Sequence, residues 1–147
     1  PLRGQRVRMS DSLRQQSFPP EIGDGPPELR RVITQGVISA YAEASGDHNP
    51  IHLDLEYARR SGLPATIAHG LLTLGTACAE VERWAGAGSW VSRVVCRFSA
   101  PVPAGEEITV SALVSAVEED SAKVELTVLT STGERALTKA KVELRAS

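Results

Sequence analysis

Thr66–Gly86, "TIAHGLLTLGTACAEVERWAG", is the stretch whose reading decides the fold. Its apolar residues Ile67, Leu71, Leu74, Cys78, Val81 and Ala85 recur at alternating spacings of four and three, the period of one helix face. Ala68, Leu72 and Ala79 widen that stripe, so a long and largely buried helix is expected. Gly70, Gly75, Ala77 and Ala79 are small and would let other backbone come close.

After Gly88 the period changes to two. Val94, Cys96 and Phe98 alternate with Arg93, Val95 and Arg97, and Ile108, Val110, Ala112 and Val114 with Thr109, Ser111 and Leu113. Val124, Leu126 and Val128 form a third alternating run, and Ala140, Val142 and Leu144 a fourth. Turn chemistry separates these runs at "PVPAGEE", "EEDSA" and "STGE". Four strands after one long helix predict an α+β fold, an antiparallel sheet wrapped around a central helix.

Upstream, "ELRRVI" (28–33) reads as a short first strand. Thr34 is placed to cap a helix running to Ala44, with Val37, Tyr41 and Ala44 on one face and Gly46 as its stop. Residues 10–27, rich in Ser, Gln, Pro and Gly, show neither period and read as an extended leader. The expected division is a leader over 1–27 and a domain over 28–147. Met9 is the only methionine and follows an arginine-bearing stretch, so it reads as a natural start, with residues 1–8 not native.

Composition narrows the function. The 147 residues suit one domain, and a hydrophobic content of 41% supplies an ordinary core. A net charge of −2 without a basic block argues against nucleic acid or an anionic membrane as partner. No apolar run approaches the ~20 residues that span a bilayer, and no apolar signal segment stands at the front, so a cytoplasmic protein is expected. Cys78 and Cys96 stand apart in apolar patterns, as reduced, buried thiols do.

One stretch resists a purely structural reading. "ASGDHNPIHLD" (44–54) gathers Asp47, His48, Asn49, His52 and Asp54 around Pro50, in a chain with three histidines. A metal site is disfavoured: Pro50 keeps His48 and His52 off a common helix face, and His69 lies on another element. A polar turn, with Asp54 capping a short helix "LEYARRSG", explains most of the residues. It leaves His52 unexplained. Ile51 and Leu53 alternate with His52, which then points the other way, toward Asp47. A carboxylate and an imidazole held on a braced loop are what proton transfer to one substrate atom requires.

The stretch Tyr41–Ala58, "YAEASGDHNPIHLDLEYA", resembles the hydratase motif of the MaoC-like, R-specific enoyl-CoA hydratases: aromatic, small residue, Gly, Asp, any residue, Asn, Pro, aliphatic, His, then Ala. "IAHGLLTLG" (67–75) and "CRFSAPVPAGE" (96–106) continue the likeness, which covers about the last 120 residues of the chain. The single-domain (3R)-hydroxyacyl-thioester dehydratases are similar around "TIAHGLLTLG". The resemblance implies a hot-dog fold, paired into a homodimer or a heterodimer with a homologous subunit. It implies Asp47 and His52 as the catalytic pair and the Gly70 backbone N–H as oxyanion donor. Asn49, Ser45, Pro50 and His69 would support the loop and the substrate. The substrate would be an acyl-CoA or acyl-carrier-protein thioester, with no metal, nucleotide or flavin cofactor. Cys78, two turns after Gly70, and Trp84 and Trp90, beside a Gly-rich turn, read as packing residues. A hot-dog thioesterase, or the catalytic half of a heterodimeric acyl-binding dehydratase, are the competing readings.

Overall fold

A computed structural model describes residues 18–147 of the chain; the expectations about residues 1–8 and Met9 lie outside them. The elements run β1 (Leu29–Val32), α1 (Gln35–Ser45), α2 (Pro50–Leu53), α3 (Leu55–Arg60), α4 (Gly70–Ala85), β2 (Ser89–Phe98), β3 (Glu107–Val117), β4 (Ser121–Leu129) and β5 (Arg135–Ala146). The strands form one antiparallel sheet in the order β1-β3-β4-β5-β2.

The three inner strands follow the period of two. Ile108, Val110, Ala112 and Val114 of β3 are all buried, as are Val124, Leu126 and Val128 of β4 and Ala140, Val142 and Leu144 of β5. Register keeps these side chains on one face: Ala112 stands opposite Leu126, and Val124 opposite Val142. That face packs against α4, whose Ala77 and Val81 belong to the same core.

Helix α4 sits about one residue round from the expected stripe. Its buried residues are Thr73, Ala77, Val81 and Ala85, so it presents mainly small side chains to the sheet and comes close to it. Leu74 and Cys78 flank that line half-buried, and Leu71 is 60% exposed. Ile67 and Ala68 precede the helix as extended chain: Ala68 N–H donates to the Val102 carbonyl at 2.8 Å, and Ile67 bridges Pro103.

Helix α1 is also turned from its expected face. Ile38 and Ala42 are buried, while Val37 and Ala44 are exposed. Four-residue spacing allowed either line. The Ile38 line won because its side chain reaches the core. Thr34 caps the helix as expected, its hydroxyl accepting from Val37 N–H at 3.2 Å.

Strand β2 departs furthest from simple alternation. It lies at the sheet edge, and its register on β5 slips between Val91 and Arg93 and again between Val95 and Arg97. The first slip places an extra residue in β2 and the second an extra residue in β5, so β2 keeps its alternation from Val94 to Phe98. Phe98 stays in line with Val94 and Cys96, facing Gly70 at the start of α4, and at the strand's end it is 54% exposed. Cys96 and Cys78 are half-buried rather than fully buried thiols, Trp84 packs on the core, and Trp90 is half-exposed.

On the opposite edge, β1 covers β3 from Glu107 to Val110. The segment before β1 continues that cover, with Gly23 N–H donating to the Val114 carbonyl at 2.9 Å and Val114 N–H to the Asp24 carbonyl at 2.8 Å. Phe18 packs against the core. No helix among the described residues is long and apolar enough to cross a membrane.

Candidate active site

Short-range hydrogen bonds shape the loop that carries the polar residues. Helix α1 ends at Gly46, whose φ of 75° is the left-handed conformation that terminates helices. Ser45 Oγ then accepts from Asp47 N–H, Asp47 Oδ1 from Asn49 N–H, and Asn49 Oδ1 from Ile51 N–H, each at 3.2 Å. These side-chain-to-backbone bonds fold the chain into consecutive tight turns. Asn49 caps α2 and Pro50 occupies its first turn, where a missing N–H costs no helical bond.

The stretch Pro50–Leu53 is one helical turn, not an extended run, so strand-like alternation does not place His52. The turn itself puts His52 inward, 7% exposed, and leaves Leu53 on the outside. His52 Nδ1 lies 2.7 Å from the Ile67 carbonyl oxygen. A carbonyl only accepts, so Nδ1 carries the hydrogen and Nε2 keeps its lone pair. A second tie fixes the backbone: Gln35 Nε2 donates to the His52 carbonyl at 2.9 Å, and Thr66 Oγ1 donates to Gln35 Oε1 at 2.5 Å.

His69 reaches the same place from the start of α4. It is the N-cap residue, but its side chain makes no capping bond. The ring stacks on His52 with centroids 3.7 Å apart and 24° between planes, and Tyr41 lies 4.8 Å away at a tilt. Nε2 is 2.9 Å from the Asp47 carbonyl oxygen, so it donates and fixes the Asp47 turn. Nδ1 is buried without a partner. His69 is on another element from the two upstream histidines, as expected, yet the fold brings its ring onto that of His52 and not near His48. His48 points outward to Glu43 Oε1 at 3.0 Å.

Asp47, His52 and His69 each offer one polar atom, and these atoms all lie within 4.8 Å of one another. The set could be read as metal ligands. Stacked imidazoles, however, hold their lone pairs in nearly parallel planes and do not both aim at one ion. The geometry suits proton transfer: an exposed carboxylate and a buried imidazole with a free Nε2, at a separation that one water can bridge.

Gly70 adjoins this pair as the first residue of α4. Leu72 and Thr73 N–H groups turn back to the His69 carbonyl, whereas an N–H at the first helical position has no earlier carbonyl in the helix to reach. It points out at the positive end of a 16-residue helix. A cavity of about 380 Å³ lies here, lined by Tyr41, Ser45, Asp47, His52, His69, Gly70, Leu71 and Phe98. A second, of about 230 Å³, shares His52, Gly70 and Phe98 and is otherwise lined by residues including Ile67, Thr73, Pro101, Val102 and Leu137.

Asn49 and Pro50 stay out of both cavities and shape the loop, while Ser45 does both. Cys78 lines neither cavity, and burial, Glu82 and Cys96 push its thiol up to about 11, a poor nucleophile at neutral pH. Sequence reasoning did not place Phe98 or Thr73 at the site. Alternation puts Phe98 on the face of Val94 and Cys96 and says nothing of its place against Gly70 at the helix start. Thr73 stands one turn after Gly70, which is the only hint the sequence holds.

A sheet packed along one long helix defines a hot-dog domain, and the Asp47–His52 pair beside the helix N-terminus is its candidate acid–base site. The chain belongs to the MaoC-like family: the profile of the "MaoC like domain" matches residues 17–135. It is similar to 3-hydroxybutyryl-CoA dehydratase of Methylorubrum extorquens, 32% identical over 107 residues, covering 72% of this chain and 68% of that one. It also resembles the (R)-specific enoyl-CoA hydratase of Rhodospirillum rubrum, at 32% identity over 59% of this chain and 61% of the relative. Other relatives are matched over less of their length, such as 3-hydroxyacyl-thioester dehydratase X of Mycobacterium tuberculosis over 20%. Among solved structures, the (R)-hydratase from A. caviae superposes with a TM-score of 0.81 at 26% identity, covering 89% of this chain and all of that one. A chain of the ChsH1–ChsH2 complex of Mycobacterium tuberculosis gives 0.80 at 26% identity, over 86% and 98% of the two chains.

Proposed function

We propose that this chain is a (3R)-specific hydratase/dehydratase, a hydro-lyase interconverting trans-2-enoyl and (3R)-3-hydroxyacyl thioesters of CoA or acyl-carrier protein. The observation that carries this reading is a ring nitrogen of His52 within 4.8 Å of an Asp47 carboxylate oxygen, with Nδ1 already bonded to Ile67, in a cavity that also meets Gly70. In hydration, a water is held between Asp47 and His52. Nε2 takes one of its protons as the water oxygen bonds to C3, Asp47 holds the second hydrogen, and one proton is returned from the pair to C2 on the same face. Electron density moves from the double bond into the thioester carbonyl as C3–O forms, and Gly70 N–H stabilises that oxygen. Losing one such donor typically costs ~2.7–4 kcal/mol of transition-state stabilisation. Dehydration runs through the same atoms in reverse. Asn49, Ser45 and Pro50 hold the Asp47 turn, and His69 braces both reacting groups.

The relatives' named substrates, CoA and acyl-carrier thioesters, support that substrate class. A dimer, with itself or with a homologous subunit, is the proposed assembly, because β2 leaves one sheet edge open. A cytoplasmic setting is part of the same reading.

Crotonyl-CoA, followed at the enoyl absorbance band with product analysis, tests it. Asp47→Asn and His52→Gln should each lower kcat by at least ~10², the usual size of acid–base effects. The double variant should cost little more than the worse single one, because groups that act together are not additive. Near-normal hydration by Asp47→Asn would overturn the reading, and release of free acid without 3-hydroxyacyl product would replace it with a thioesterase.

A further inference from the structure

The two cavities at the site share one wall, and Phe98 is part of it. The ring lies directly on Gly70: a Cβ at position 70 would stand 2.7 Å from Phe98 Cδ1, 2.9 Å from Cε1 and 3.0 Å from Cγ. The space that the absence of a side chain at 70 leaves free is therefore occupied by this ring. His52 and Gly70 border both cavities as well, so the passage from one to the other runs between the imidazole, the helix start and Phe98. The outer cavity holds the polar groups, Asp47, His69 and Ser45. The inner one reaches the buried core residues Val102, Ala136 and Leu137 and opens to the surface beside Ser99 and Pro101.

We propose that Phe98 is a specificity-determining residue that sets acyl-chain length by closing the inner cavity to the substrate. This rests on the hydratase/dehydratase reading. A thioester whose carbonyl oxygen meets Gly70 N–H, with C3 between Asp47 and His52, has its alkyl end aimed past Gly70 at the ring. A four-carbon chain ends before the ring. A longer chain has to enter the inner cavity, and it does so only if the ring leaves Gly70. Phe98 ends edge strand β2 and is 54% exposed in the single chain, so core packing within the chain does not lock its ring. Removing it does not open a hole in the sheet. The inner cavity is then an unused tail site, apolar at its far end and suited to a medium-length alkyl chain.

The test compares kcat/KM for crotonyl-CoA and trans-2-octenoyl-CoA in wild type, Phe98→Ala and Phe98→Leu. Wild type should favour the crotonyl thioester. Phe98→Ala should raise the octenoyl-to-crotonyl ratio by at least about tenfold, the low end of what one methylene in an apolar pocket is worth, with Phe98→Leu between. Phe98→Leu keeps an apolar side chain on the strand and carries the test if the alanine variant does not fold. Titration calorimetry with butyryl-CoA and octanoyl-CoA reads the same ratio without turnover. A binding ratio that shifts in proteins that hydrate neither enoyl thioester would overturn the hydratase reading while leaving the wall in place. Active enzymes whose two ratios do not change on removing the ring would overturn the role of Phe98.

Discussion

The sheet interior and the loop from Gly46 to Gly70 are built by opposite means. Strands β3, β4 and β5 place β-branched and aliphatic residues on one face and bury them nearly completely. Between Gly46 and Gly70, the buried apolar side chains are alanines, Ala58 and Ala68, and the polar residues His52, Thr66 and His69 are buried beside them. Capping bonds, Asx-type turns and imidazole–carbonyl bonds hold that segment instead. The sheet depends on the amount of apolar surface it buries. The loop depends on individual hydrogen-bond geometries, so stability and activity should respond to different substitutions.

Leu144→Ala should give the largest effect on stability. Leu144 is fully buried, and truncating such a leucine costs about 2–5 kcal/mol through lost transfer energy and the cavity left behind. Denaturant unfolding should show that loss, while kcat per folded molecule stays near wild type. An equal fall in kcat at full folding would erase the contrast between the two regions.

Gln35→Ala sharpens the contrast from the other side. It removes the donor to the His52 carbonyl and the acceptor of the Thr66 hydroxyl, two part-buried bonds. The expected stability loss is about 1–3 kcal/mol, the cost of leaving buried polar groups unpaired. The kinetic loss should fall on kcat rather than KM, because His52 shifts while the cavity wall remains. A change confined to KM would place Gln35 against substrate instead.

The smallest effect is electrostatic. Burial, helped by Glu82 and Cys96, raises the Cys78 thiol from 9.0 to about 11. The raised value means that the folded chain holds this proton more tightly than the unfolded one. Its contribution to stability is therefore full below pH 9 and is lost as pH climbs toward 11. Cys78→Ala should flatten the fall in melting temperature across that window, and wild-type Cys78 should alkylate slowly at pH 8. Identical melting profiles for both proteins would contradict this origin.

Legibility in the sequence followed the same division. The inner strands could be read because period two and burial coincide at every position. The caps at Thr34 and Asp54 and the stop at Gly46 were legible because each depends on one residue and its near neighbours. The faces of α1 and α4 were misread by about one residue, since several apolar lines run along each helix and only the sheet selects among them. His52 was singled out for a strand-like reason, although a helical turn buries it. The stacking of His69 on His52 joins positions 17 residues apart on different elements, and no local pattern encodes such a contact. The contact of Phe98 with Gly70 likewise joins a strand end to a helix start, which alternation along β2 does not encode.

The acceptors that fix the two stacked rings are both main-chain carbonyls, those of Ile67 and Asp47. A main-chain carbonyl is present whichever amino acid occupies the position. Position 67 is therefore doubly employed without conflict: its backbone sets the tautomer of His52, while its side chain forms part of the inner cavity wall. Mutation can reshape that wall without deleting the acceptor, so lineages of this fold can drift in what they accept while inheriting an unaltered imidazole.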